Sequence, residues 1–281
     1  MKNIGVLFSY KKDTDLREKI VKAKEMNLCS CQLSMWDTSM FTEEYANEVK
    51  TILKETDFRV SALWAGWSGE CKWNFTEGPF TIGLVPEKYR ASRLAELKLA
   101  SDFAYSVGIN KVITHVGFIP EDPNHPDFIG VVEALRELCE YMKTRGQYFL
   151  FETGQETPVT MLRTIEAIGL DNVGINLDTA NLILYGKANT LDALDVFGKY
   201  VMETHIKDGV YPTDGMKLGR EQKFGDGKAN FPAVIAKLYE LGYSGDFTIE
   251  REISGEQQQM DIAFARDGLI KIMESIENAL Y

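Results

Sequence analysis

The chain has 281 residues, 44% of them hydrophobic and 26% charged, with a formal net charge of -11. That balance is ordinary for a folded globular protein and excludes extended disorder, while the acidic surplus argues against sequence-independent binding to nucleic acid, which needs a basic surface to displace counterions. No apolar run approaches the ~20 residues of a membrane helix, and the opening Met-Lys-Asn-Ile-Gly-Val leads straight into a strand-like segment with no signal-peptide core, so a cytoplasmic location is expected.

Taken in chain order, apolar strand candidates alternate with amphipathic helix candidates. Strands are predicted at 4–9, 28–34, 59–64, 111–116, 148–152, 173–178, 201–206 and 247–250. Cys29 and Cys31 sit two apart in the second of these and so face one side; with Cys71 and Cys139 they lack CxxC spacing and read as reduced, packed thiols. Leu94, Leu97, Ala100, Ala104 and Val107 recur at spacings of three and four in a helix predicted over 88–107. Val131, Ala134, Leu135, Leu138 and Met142 do the same over 128–144. Gly108, Gly146, Gly169 and Gly242 each fall a step or two before the next strand, where a left-handed residue closes the preceding helix.

Strands alternating with helices imply βαβ units and a parallel sheet, and eight of them favour closure into a (β/α)8 TIM barrel, one domain over 1–281. Such a barrel uses about 250 residues. No GxGxxG or GxxxxGK[ST] follows a strand, which counts against a nucleotide site. Two connections exceed the usual βα loop: 65–86, with Trp67, Trp73, Phe75 and Phe80, and 207–230, with the Phe-Gly-Asp-Gly turn at 224–227. Both belong on the catalytic rim, placed to cover a ligand. The aromatic loop reads equally as packing on its own barrel or across a subunit contact.

Four strand ends carry a metal-competent side chain: Glu152, Asp178, His205 and Glu250. Singly, each has a plain structural explanation. Asp178 can cap the next helix, the glutamates can pair with Arg251 or Lys207, and His205 can be a satisfied core residue. On consecutive strands they crowd three carboxylates onto the rim where a barrel keeps its active site, and a divalent cation relieves that repulsion. Oxygen-rich ligation with one imidazole suits Mn, Mg, Co or Zn.

The order Glu, Asp, His, Glu, with Leu-Asp-Thr-Ala-Asn-Leu at 177–182, His-Ile-Lys-Asp at 205–208, Phe-Gly-Asp-Gly-Lys-Ala-Asn-Phe at 224–231 and Thr-Ile-Glu-Arg-Glu at 248–252, resembles the xylose-isomerase-like TIM-barrel superfamily. Within it the resemblance is to the sugar phosphate isomerase/epimerase group, which includes ketose 3-epimerases, and it covers essentially the whole chain. It implies one divalent ion on Glu152, Asp178, His205 and Glu250, a small sugar or sugar phosphate as substrate, and Glu152 and Glu250 as acid and base on opposite faces of that sugar. Proton abstraction next to a carbonyl, with the enediolate held by the ion, then leads to epimerisation or isomerisation. Homo-oligomers are frequent in this family.

Candidate substrate contacts are His115 and Trp64 at two earlier strand ends, Gln155 just after Glu152, Lys207 and Arg251 beside the ligands, and Asn181. His125, in a Pro-rich loop, reads as surface. Asn181 departs from the pattern, since ketose 3-epimerases and apurinic-site endonucleases commonly carry His three residues after this Asp. That keeps a second reading open, a lyase or hydrolase acting on 3-keto glycosides or cyclitols at the same metal site. An endonuclease is disfavoured, because its three-metal cluster needs several histidines and a basic face, and the chain has 3 His.

Overall fold

A computed structural model of the chain describes residues 3–280, so the predicted unit 1–281 reaches beyond them at both ends. Eight parallel strands close into a barrel: β1 (Ile4–Ser9), β2 (Ser30–Met35), β3 (Arg59–Ala65), β4 (Lys111–Thr114), β5 (Tyr148–Glu152), β6 (Val173–Asp178), β7 (Val201–Ile206) and, after an antiparallel hairpin of β8 (Asp208–Val210) and β9 (Arg220–Gln222), β10 (Phe247–Ile249). β10 pairs with β1 to complete the ring. The helices are α1 (Leu16–Glu25), α2 (Glu43–Thr56), α3 (Glu87–Val107), α4 (Pro126–Lys143), α5 (Pro158–Ile168), α6 (Asn181–Leu184), α7 (Thr190–Phe197), α8 (Phe231–Glu240) and α9 (Glu256–Leu280). None among the described residues is long and apolar enough to cross a membrane.

Local chemistry accounts for the boundaries. Asp15, Thr42, Thr157 and Asn189 each accept a backbone N–H from the first turn of the helix they precede. Gly108, Gly146, Gly169 and Gly242 all adopt positive φ, as the αβ-loop reading requires. The predicted apolar faces are the buried ones: Leu97, Ala100 and Ala104 of α3 and Val131, Leu135, Leu138 and Met142 of α4 pack into one core with the strands.

Every predicted strand is present: 4–9, 148–152, 173–178 and 201–206 match at both ends, and the other four differ by at most two residues at an end. The fourth stops early because the carbonyl of Val116 accepts from the N–H groups of Leu84 and Val85, so this backbone pairs with the aromatic loop instead of a strand. The hairpin inside 207–230 is held by Asp208, whose carboxylate accepts from the backbone N–H groups of Gly209, Gly225, Gly227 and Ala229 at 2.9 to 3.1 Å. A Cβ on Gly227 would lie 2.1 Å from Asp208 Oδ1, which is why that turn needs glycine.

Candidate metal centre

Parallel register sets Asp178 opposite His205 and Glu152 opposite Asn176. Side chains two apart on a strand share a face, so Glu152, Asn176, Asp178, Glu203 and His205 project together into the barrel. Glu250, one residue past β10, continues the ladder by donating its N–H to the carbonyl of Ile206. One ligand-capable atom from each of Glu152, Asp178, His205 and Glu250 lies within 4.8 Å of the others. Asp178 is both things the sequence allowed. Its Oδ1 caps α6 by accepting from the N–H groups of Ala180 and Asn181, while Oδ2, buried and without a hydrogen bond, faces His205 and Lys207.

Beneath the four candidate ligand residues lies a polar layer in which every orientation is dictated. Glu203 and Glu152 are carboxylates and can only accept. Gln32 Nε2 therefore donates to Glu203 Oε2 at 3.3 Å and to Asn176 Oδ1 at 3.2 Å, while Asn176 Nδ2 donates to Glu152 Oε2. That leaves Gln32 Oε1 to accept from His205 Nε2 at 2.7 Å. His205 Nδ1 is then turned, lone pair first, toward Glu152 Oε1 at 2.8 Å and Glu250 Oε2 at 3.0 Å. An acceptor facing acceptors needs a proton or a cation between them, and this donor set fits a divalent ion. Lys111 anchors the bottom of the layer, its Nζ 2.5 Å from Glu203 Oε1.

Lys207 is buried at the edge of the cluster. Its Nζ lies 2.5 Å from Glu252, 3.5 Å from Asp178 and 3.6 Å from Glu250, and donates to Asn181 Oδ1. Burial raises the carboxyls of Glu152 and Asp178. Glu250 is also pushed up by burial, but Lys207 and then His205 outweigh that and hold it below its usual range. Burial pulls the His205 imidazole down, yet Glu152 and Glu250 prevail and raise it well above its ordinary value. The cluster thus favours holding protons, and a cation entering it would compete with them.

A cavity of about 500 Å³ opens over the cluster, lined by Glu152 and Glu250 but not by Asp178 or His205. Of the predicted contacts, His115, Trp64, Asn181, Lys207 and Arg251 also line it. Burial, with Lys207 adding to it, lowers the His115 imidazole to about 3, so it is neutral there. Gln155 is not on the wall; it is buried beside His115 and Tyr185. The Arg251 guanidinium is committed to Glu221 and Asp261, each at 2.8 Å. His125 is at the surface, as expected, where its Nδ1 caps α4. Another large concavity, lined by Lys12, Asp15, Asn47 and Glu48 among others, is an open cleft none of whose polar residues is buried.

Sequence reasoning missed Gln32, Glu203, Trp36, Tyr185 and Arg93. Trp36 follows the second strand as Trp64 closes the third, so the strand-end rule would have found it. Arg93 had no such signal. This fully buried arginine of α3 donates to the carbonyls of Ser68, Glu70, Thr81 and Gly83 at 2.7 to 3.1 Å, and so fixes the aromatic loop in place. Burial of Cys31, Cys71 and Cys139 raises their thiols, consistent with packed, unreactive cysteines.

A family model described as xylose isomerase-like TIM barrel matches residues 20–268. An uncharacterised protein of Methanocaldococcus jannaschii is 25% identical over an alignment of 180 residues that covers 59% of this chain and 59% of its own. Among solved structures, a xylose isomerase domain protein from Planctomyces limnophilus is 33% identical, with 99% of each chain covered and a TM-score of 0.91. A xylose isomerase-like TIM barrel protein from Mycobacterium smegmatis, solved in complex with magnesium, is 18% identical over 98% of each chain at a TM-score of 0.72. D-psicose 3-epimerase from Clostridium cellulolyticum H10, solved with D-tagatose, is 16% identical at a TM-score of 0.71, covering 97% of this chain and 99% of its own.

Proposed function

Because the chain belongs to the xylose isomerase-like TIM barrel family, we propose that it is, as one domain, a divalent-metal-dependent isomerase or epimerase of a small sugar. One observation carries this reading: of the four candidate ligand residues, only the two glutamates also line the cavity. Asp178 and His205 are left to hold an ion from behind, while Glu152 and Glu250 reach both the ion site and a substrate. A divalent ion bound there, whether Mn, Mg, Co or Zn, supplies a Lewis acid for the oxygen on which charge builds when an adjacent proton leaves.

The chain's own groups do the rest. One glutamate takes the proton from the carbon next to the carbonyl, and the other returns it, to the opposite face for epimerisation or to the neighbouring carbon for isomerisation. Lys207, held by three carboxylates, presents a fixed positive charge beside the developing oxyanion. His115, neutral in its buried position, serves as a hydrogen-bond partner to a sugar hydroxyl. Asn181, whose Oδ1 is taken by Lys207, keeps the second reading alive: a lyase acting on a 3-keto glycoside, in which the same proton abstraction expels a neighbouring oxygen.

The test is proton exchange. Protein loaded with Mn and incubated in deuterated water with ketoses, ketose phosphates and 3-keto glycosides is expected to place deuterium on the α-carbon of a recovered, rearranged sugar. Loss of an aglycone or of water would favour the lyase. Chelation should stop the exchange; a protein with no bound or activating divalent ion, whose exchange is indifferent to chelator, is not this enzyme.

Gln32 offers a check on the ion site that does not depend on turnover. Gln32→Met removes the acceptor that keeps the proton on His205 Nε2, so the Nδ1 lone pair is no longer fixed toward the ion. Calorimetric titration with Mn should show an affinity lower by about 10–100-fold, the usual effect of losing such a supporting contact. An unchanged affinity would show that Gln32 does not set the tautomer.

A further inference from the structure

Three of the 4 tryptophans of the chain line the cavity, and the fourth, Trp67, packs against one of them. Trp36 lies with its ring centre 4.9 Å from Trp64, 5.1 Å from Trp67 and 6.1 Å from Trp73. Trp64 and Trp67 are buried, but Trp36 and Trp73, 38% and 41% exposed, leave indole surface open. Trp36, Trp64 and Trp73 line the cavity, and the His115 ring lies 5.1 Å from Trp73 and 5.9 Å from Trp64, joining this wall to the carboxylate end. The wall is preorganised. Arg93 sits over the Trp67 ring at 5.1 Å while its donors hold the surrounding backbone.

The opposite inventory is as telling. The two cations on the lining, Lys207 and Arg251, are each already bound by at least two carboxylates, and Glu152, Glu250 and Glu252 line the same space. Away from an ion held by the cluster, a phosphate entering here meets anions and no uncommitted side-chain cation, so most of its desolvation goes uncompensated. The volume of about 500 Å³ lies in the range that encloses drug-sized ligands and exceeds what a single hexose fills. Indole faces, meanwhile, attract the polarised C–H face of a ring. The Tyr185 hydroxyl, buried on the wall without a well-formed hydrogen bond, is a polar group left for such a ring.

We propose that the substrate is an unphosphorylated sugar bearing a second ring, a glycoside or disaccharide, whose reacting unit sits at the carboxylate cluster and whose second ring stacks on Trp36 and Trp73. This rests on the reading of the cluster as a metal-dependent sugar site and narrows it.

Because every tryptophan either lines the cavity or packs on one that does, intrinsic fluorescence reports on it directly. The full chain loaded with Mg would be titrated with fructose, fructose 6-phosphate, and turanose, maltulose and isomaltulose, which carry a glucosyl ring on O3, O4 or O6 of the same ketose. At least one disaccharide is expected to bind about tenfold tighter than fructose, and fructose 6-phosphate no tighter than fructose. In Trp73→Ala the disaccharide's advantage should vanish while fructose binding stays within about twofold. Tightest binding by fructose 6-phosphate, or three disaccharides no better than fructose, would overturn the proposal and leave the sugar-site reading standing. Silence from all five sugars would remove that reading and the proposal with it.

Discussion

Replacing Glu250 by Gln is expected to abolish exchange of the sugar α-proton with solvent, and Glu152→Gln should do the same, each by roughly 10³-fold, within the range that one positioned acid or base contributes. Each change removes two things at once, a proton-transferring oxygen and one charge from the ion site. Asp178→Asn separates them, because Asp178 belongs to the cluster but does not line the cavity. Raising the Mn concentration should restore part of the exchange in Asp178→Asn, where only affinity is lost. It should restore none in the glutamate variants. Deuterium incorporation followed by NMR across a range of Mn concentrations decides the matter; wild-type exchange in Glu250→Gln at saturating Mn would mean that Glu250 is a ligand and not a base.

The strand-end cluster was legible in the sequence for a physical reason. A barrel strand announces itself as a short apolar run, and its last inward residue is the one position where a charged group is tolerated and useful. Glu152, Asp178 and His205 each break such a run at its C-terminal end. What the sequence conceals is relative height. Glu152 pairs in register with Asn176, two residues below Asp178, and the register of β6 on β7 slips between Ile175 and Asn176. Those offsets, invisible in the linear chain, bring Gln32 from β2 under His205 from β7, 173 residues away.

Arg251 and Gln155 mark a different limit. A cation directly after a candidate ligand reads as a substrate contact, yet Glu221 of β9 and Asp261 of α9 converge on Arg251 from elements that show no signal in the linear sequence. The hairpin strands are three residues each, too short to show periodicity. The four tryptophans were likewise scattered over two connections and a strand. It is the pairing of β2 with β3 that sets Trp36 against Trp64.

Glu156 should give the largest effect on stability. It lies in the connection between β5 and α5, 2% exposed, with neither carboxyl oxygen in a well-formed hydrogen bond. Burial raises its carboxyl to about 8, against opposition from its own N–H, from Lys187 and from the N–H of Gln155. At neutral pH the folded protein therefore holds a protonated acid that the unfolded chain would ionise. Since the folded value lies above the unfolded value of 4.5, the contribution is fully present below pH 4.5 and is lost as pH climbs through 8. Between pH 5 and 8 that costs on the order of 3 kcal/mol. Gln fills the same volume and never ionises. Glu156→Gln should thus match the wild type near pH 5 and melt several degrees higher at pH 8 to 9, at roughly 2–4 °C per kcal/mol. The scans belong in chelator, so that ion binding at Glu152 adds nothing to either protein. Melting curves that stay parallel from pH 5 to 9 would mean that Glu156 is ionised in the fold. In that case the N–H groups and Lys187 would have overcome its burial.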